Sequence, residues 1–290
     1  MKIFDIHPHV ISPDTVRYPH VNVLDHTEAH NSERPVTTEQ MLAEMDAAGI
    51  EHAVLVQTFL VYGYDNSYVA DSAAAHPDRF AWVGSVDARA ADAPQQLRAL
   101  VRQRHMDGLR VFASYGEIAK DSDWLADPET MPAWQAAADL DLPVCVMMKA
   151  TSLPVLAKVV DRFPTLRFVL DHIGAVRPAD APSFPSADAL WALAERPNVY
   201  LKLTSSVIER SIAAGVLEPL MRRCIELFGA NRIAWGSNYP TSAGPLTRLV
   251  EFAQTELAFL SETEREAIFN GTARSLYPRF DRTLTSGGRS

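Results

Sequence analysis

The sequence predicts a single (β/α)8 barrel, and three observations predict it. Eight short runs rich in Val, Ile and aromatics recur along the chain, each followed by a helix-like segment. Most of these runs are continuously apolar rather than alternating, the pattern of strands covered on both faces. The rival is an open doubly wound sheet, and no G-x-G-x-x-G follows the first run to support a dinucleotide fold. Strand–helix alternation implies parallel pairing with right-handed crossovers. Eight repeats imply closure, with an active site at the C-terminal strand ends.

The predicted strands are Lys2–Ile6, His52–Gln57, Phe80–Val86, Gly108–Phe112, Pro143–Met148, Arg167–Leu170, Val199–Leu203 and Arg232–Trp235. Amphipathic stretches lie between them at Thr38–Ala48, Ala93–Gln103, Met131–Leu140, Leu153–Phe163, Ala187–Ala194 and Val216–Phe228. Thr37 with Gln40 three residues on resembles a capping box, and Gly49 and Gly229 are helix stops. The helix Glu262–Phe269 caps the barrel. The polar segment Ser12–Pro35 reads as a long loop above the first strand, of the kind that serves as a lid or substrate loop. The barrel is assigned to residues 1–282, and the Ser/Gly-rich tail 283–290 reads as disordered.

Composition narrows the function. Hydrophobic residues at 47% and charged residues at 22% suit a full core inside a soluble protein. Lys plus Arg is 27 against 36 Asp plus Glu, a net charge of −9 that argues against a nucleic-acid partner. The start MKIFDIHPHV lacks a signal-peptide pattern, and no run approaches the roughly 20 apolar residues of a membrane span. Cys145 and Cys224 make no disulfide framework. The expectation is a cytoplasmic protein acting on a small molecule, with its oligomeric state left open.

Chemistry-bearing residues follow the apolar runs. After the first come Asp5-Ile6-His7-Pro8-His9. In extended chain His7 and His9 point the same way, and two neutral imidazoles suit a zinc-type ion. Two loop histidines held by hydrogen bonds are the plain alternative. The sixth run ends Asp171-His172-Ile173-Gly174, which aims His172 at the same mouth. The eighth ends Trp235-Gly236-Ser237-Asn238-Tyr239-Pro240, and the sharp exit projects Asn238 there too. An amide is a poor base and a weak metal ligand. Arg110, Lys149 and Lys202 sit on or just after strands four, five and seven. An anionic substrate group explains such cations; so do salt bridges to Asp107, Asp141 or Asp171. Gln57 ends the second strand, and Tyr62, Tyr64, Asp65 and Asn66 follow in a loop suited to gripping a ring or acid.

Together these motifs resemble the amidohydrolase superfamily, in the amidohydrolase-related branch of 2-pyrone-4,6-dicarboxylate lactonase-like proteins. The matching pieces are FDIHPHV, LVQTFLVYGYDNSYV, HPDRFAWVGSVD, DGLRVF, PTLRFVLDHIGAV, NVYLKLTS and RIAWGSNYP, in order through nearly the whole chain. The resemblance implies a barrel that hydrolyses, or sometimes decarboxylates, a small carboxylated ring compound. It carries the family's H-x-H pair onto His7 and His9 and the D-H-x-G histidine onto His172. The family's strand-eight acid, which positions or deprotonates water, falls on Asn238. A further family ligand on strand five is missing, where this chain has Met147-Met148-Lys149. The resemblance thus implies one Zn or Mn on His7, His9 and His172, or no metal at all.

Three functions follow. The first is hydrolysis of a carboxylated lactone or related cyclic ester. In it Arg110, Lys149 and Lys202 orient the acid groups, His7 and His9 or their metal polarise the carbonyl, Asn238 orients water, and His172 is the base. Asp171 points away from His172 in this reading. The second is non-oxidative decarboxylation of an aromatic acid. The third is a binding protein that kept the pocket and lost the base.

Overall fold

The computed structural model describes residues 1–21, 23, 34–113, 122–176 and 184–280. The tail 283–290 and most of the segment 22–33, inside the predicted lid loop, lie outside the described residues.

Eight parallel strands lie side by side in chain order. They are β1 (Ile3–Asp5), β2 (Ile50–Val56), β3 (Phe80–Ser85), β4 (Gly108–Phe112), β5 (Val144–Met147), β6 (Phe168–Leu170), β7 (Val199–Thr204) and β8 (Ile233–Gly236). Among the described residues, the helices between and after them are α1 (Thr38–Ala48), α2 (Phe59–Tyr62), α3 (Ser67–Ala75), α4 (Ala93–Arg104), α5 (Met131–Asp139) and α6 (Leu153–Arg162). Then come α7 (Asp188–Leu193), α8 (Ser205–Ala213), α9 (Leu217–Phe228), α10 (Leu246–Glu256), α11 (Glu262–Glu266) and α12 (Thr272–Leu276). The chain is a (β/α)8 barrel.

Local chemistry sets these elements. The Thr37 hydroxyl accepts from Gln40 N while the Gln40 side chain accepts from Thr37 N, and Gly49 ends α1 in the left-handed region. The helix expected over Glu262–Phe269 is instead broken by a π-helical turn at Ala267–Gly271, which leads into α12. Helices α2, α3, α8, α10 and α12 had no counterpart in the sequence reading, and α8 matters most for the site.

Alternation divides the strand residues between two cores. Phe4, Ile6, Val54, Ala81, Val83, Cys145, Val169 and Ala234 fill the barrel interior, packed from one end by Ala273, Leu276 and Tyr277. Leu55, Trp82, Leu109, Val144 and Leu201 belong to the larger cluster shared with the helices. Burial on both faces is why the strands read as unbroken apolar runs.

The barrel seam joins β1 to β8. Ile6 N donates to Trp235 O at 3.3 Å and His9 N to Tyr239 O at 2.8 Å. Asp5 Oδ1 accepts from His7 N at 3.0 Å and from Ser237 N at 2.8 Å. Gly236 permits this approach, because a Cβ there would lie 2.5 Å from the Cβ of His7. The seam fixes where His7 sits.

Candidate active site

The floor of the mouth is built from the ends of β1, β4, β6 and β7. Val169 faces the barrel interior, so Asp171, two residues on, faces inward as well. This corrects the expectation that Asp171 points away. It is fully buried, its Oδ2 accepts from Arg110 Nε at 2.8 Å, and its Oδ1 lies 2.8 Å from Lys202 Nζ. The same Oδ1 is 3.7 Å from His7 Nδ1. Burial alone would raise the Asp171 pKa, but Lys202 and Arg110 outweigh it and hold the carboxyl below the ordinary range.

After Asp171 the chain leaves the strand in a left-handed turn. His172, Ile173 and Gly174 have φ of 54°, 49° and 68°, and Ala175 follows at 54°. Left-handed backbone costs roughly 1–2 kcal/mol per non-glycine residue, and Ile173 is β-branched as well. The turn swings His172 to the mouth, where its Nδ1 meets Thr204 Oγ1 at 2.7 Å. Thr204 Oγ1 is in turn 3.1 Å from Ser206 Oγ.

The three histidines gather as expected. The His7 ring lies 4.9 Å from that of His9 and 5.3 Å from that of His172, centroid to centroid. His9 Nδ1 donates to Val56 O at 2.8 Å, because a carbonyl only accepts, which leaves Nε2 with its lone pair. Both ring nitrogens of His7 are buried without a hydrogen-bond partner. Burial lowers all three pKa values, His9 to about 3 and His172 to about 4, and His7 well below the usual range. Arg110 and Lys202 add to the effect at each, while Asp171 opposes it at His172. All three are neutral bases at pH 7.

Above the floor opens a cavity of about 810 Å³. His9, His172, Arg110 and Asn238 line it, with Phe59, Phe112 and Met147 as apolar wall. Asn238 adopts φ 57°, a left-handed conformation that Asn tolerates, and its carbonyl accepts from Ser242 N at 2.7 Å. Glu209 and Arg210 also line the cavity and were missed by the sequence reading. With Ser206 they share one face of α8 at spacings of three and four, while Val207, Ile208 and Ser211 are buried. The signal was there in SSVIERSIA, but no helix was expected at that place.

Other predicted site residues stand elsewhere. Lys202 is wholly buried in its pair with Asp171 and does not line the cavity; its salt-bridge reading is the one this geometry supports. Lys149 is exposed and outside the cavity wall formed by the described residues. Gln57 Nε2 donates to Gly63 O and Asp65 O, and its Oε1 accepts from Ser85 Oγ. Asn66 donates to Tyr64 O and Ser85 O and accepts from Ser85 N. The Tyr62 hydroxyl accepts from Ser12 N at 2.7 Å. These three hold the loop after β2 rather than face the cavity. Tyr64 is half exposed beside Phe59 and Arg89, in a separate small hollow that shares Arg110 with the mouth.

Among the described residues, no three His, Cys, Asp or Glu side chains converge as a metal site. Nor is any described helix long and apolar enough to cross a membrane.

Comparison with known proteins bears on this geometry. A family model described as Amidohydrolase matches residues 4–279. L-fucono-1,5-lactonase of Burkholderia ambifaria is 33% identical over 256 residues, which cover 86% of each chain. An amidohydrolase of Burkholderia multivorans with bound zinc superimposes with a TM-score of 0.78 at 20% identity, covering 96% of this chain and 99% of its own. A protein of Acinetobacter baumannii described as a probable 2-pyrone-4,6-dicarboxylic acid hydrolase, with citric acid bound, gives 0.76 at 17%, covering 96% and 100%. At those identities the two structures speak to the fold alone.

Proposed function

The chain belongs to the amidohydrolase family, and from that premise we propose that it hydrolyses a small lactone in the mouth cavity. The observation that carries the reading is His172 in the cavity wall with Nδ1 2.7 Å from Thr204 Oγ1; with Nδ1–H donating to that hydroxyl, Nε2 is left to take a proton. Water adds to the lactone carbonyl and loses its proton to His172 Nε2. The carbonyl oxygen becomes an oxyanion beside the Arg110 guanidinium, which Asp171 and the Phe112 ring 4.5 Å away hold in place. The ring C–O bond then breaks, and the departing alkoxide takes the proton back from His172 to give the open hydroxy acid. Asn238 orients the water; as an amide it moves no proton.

The lining supports a hydroxyl-bearing, uncharged lactone over a carboxylated ring. The carboxylate expectation rested on the family resemblance and on the cations Arg110, Lys149 and Lys202. Of these only Arg110 reaches the cavity, and its charge is already matched by Asp171. The rim adds one cation, Arg210, with the acid Glu209 next to it. Ser206, Thr241, Ser242, Asn238 and Glu209 suit hydroxyl groups better than a second carboxylate. The curated relative named for a sugar lactone agrees.

The residues do not fit a divalent ion as they stand. Imidazole chemistry and the two unpartnered nitrogens of His7 favour one. Against it, the acid of the cluster is taken by two cations, β5 ends in Met147 without a ligand, and among the described residues no three His, Cys, Asp or Glu side chains are placed to hold one ion together.

The test is hydrolysis of two lactone sets, aldono-1,5-lactones and carboxylated lactones, followed by acid release. Faster turnover of the hydroxylated set is expected. Rates no better than spontaneous on both sets would overturn the reading, and a preference for the carboxylated set would overturn the substrate class alone.

A further inference from the structure

Lys202 is a lysine that the mechanism above does not use, and its place is unusual. It is wholly buried on β7, with its ammonium 2.8 Å from Asp171 Oδ1 and 3.5 Å from the Cys145 thiol. The same Asp171 oxygen is 3.7 Å from His7 Nδ1, and the His7 ring lies 4.9 Å from that of His9 and 5.3 Å from that of His172. The ammonium therefore lies on the carboxylate that stands beside His7 in the histidine cluster. Asp5, the other buried acid at this level, gives its Oδ1 to two backbone N–H groups. Arg110 takes the remaining Asp171 oxygen, so two cations stand on one carboxylate. Burying an ammonium this deeply is costly, and lysine is seldom fully buried without a reason.

We infer that Lys202 occupies, as a covalently attached charge, the position a divalent ion would take between Asp171 and the histidines. Its ammonium gives the floor the positive field and the anchoring of Asp171 that a cation would give. It also repels any metal that approaches the free nitrogens of His7. Lys202 touches no substrate and acts as a positioning residue, through Asp171 and Arg110. This role of Lys202 is the same whichever lactone is turned over, and zinc binding reports it without any substrate.

The test is zinc binding by the chelator-stripped full chain, measured by titration calorimetry and by metal analysis after dialysis, for the wild type, Lys202→Met and Lys202→Arg. Met matches the length of the lysine stem, sits against Cys145, and leaves Asp171 paired with Arg110, so the fold keeps its main ion pair. The wild type and Lys202→Arg are expected to take up no stoichiometric zinc. Lys202→Met is expected to bind one zinc per chain at least ~100-fold more tightly, because a unit charge a few ångströms away is removed from a shielded site. Adding His7→Ala to Lys202→Met should abolish that gain, which ties it to this cluster. One-to-one zinc binding by the wild type at micromolar concentration overturns the inference, even if Lys202→Met fails to fold. Folded Lys202→Met that binds no better than wild type overturns it too. Zinc uptake by Lys202→Arg equal to that of Lys202→Met would trace the gain to lost shape rather than lost charge, and would overturn it as well.

Discussion

Two polar corners of the barrel mouth look alike in sequence and differ in structure. One joins the ends of β1, β6 and β8 and carries His7, His9, His172 and Asn238. The other follows β2 and carries Gln57, Tyr62 and Asn66. In the second corner polar groups meet partners inside the fold: Gln57 makes three hydrogen bonds and Asn66 makes three. In the first, nitrogens of His7 stay unpartnered, while His9, His172 and Asn238 form cavity wall. A site is marked by hydrogen-bonding capacity left over at a cavity, more than by polarity at a strand end.

The largest effect that would sharpen this contrast is acid unfolding. In the unfolded chain an imidazole takes its proton near pH 6.5, while His172 and His9 in the fold wait until about 4 and 3, and His7 also titrates well below its usual range. Between those limits the unfolded state holds more protons, so stability falls as pH falls. Each imidazole contributes up to about 1.4 kcal/mol per pH unit. Asp5 and Asp107, whose carboxyls burial raises above 3.8, work in the opposite sense. Denaturant midpoints at pH 7.5 and 5.5 should therefore differ clearly. Equal midpoints would mean the histidines are not buried neutral groups. The β2 corner, built on amides and hydroxyls, adds nothing to this slope.

Next comes His172→Asn. Asn accepts the left-handed backbone and leaves Thr204 a polar neighbour, so the chain should fold while turnover drops roughly 1,000-fold for want of a base. Gln57→Leu should do the reverse. It strands Gly63 O, Asp65 O and Ser85 Oγ, at a cost of about 2–3 kcal/mol, yet leaves KM and kcat of the folded fraction near wild type. If Gln57→Leu instead removed activity at unchanged stability, the contrast between the corners would fail.

The legible part of the molecule was what periodicity and motif spacing carry. Continuous apolar runs announced the eight strands, and H-x-H, D-H-x-G and G-S-N located three strand ends that do meet. The hidden part was orientation. Asp171 could be placed only by knowing that Val169 faces inward, and His172 only by the left-handed turn, which D-H-I-G with its single glycine does not announce. The seam was equally silent: Gly236 reads as a turn glycine, yet its role is to let β8 lie against His7. Glu209 and Arg210 went unseen because their significance depends on α8 facing the cavity.

The smallest expected effect tests the same issue of orientation on Lys149. In the sequence it ranks with Arg110 as a cation at a strand end. On β5, Cys145 faces the barrel interior and Met147, two residues on, lines the mouth cavity. Alternation would carry Lys149 inward as well, but the strand ends at Met147 and a short 3-10 turn begins at Ala150, and Lys149 is exposed. An exposed charge is screened by water and salt, and contributes little to a ligand it does not touch. Lys149→Ala should change kcat/KM less than about threefold on hydroxylated and carboxylated lactones alike. A tenfold loss confined to carboxylated lactones would show that Lys149 reaches the substrate after all. It would restore the anionic substrate class that the paired state of Arg110 and the burial of Lys202 argue against.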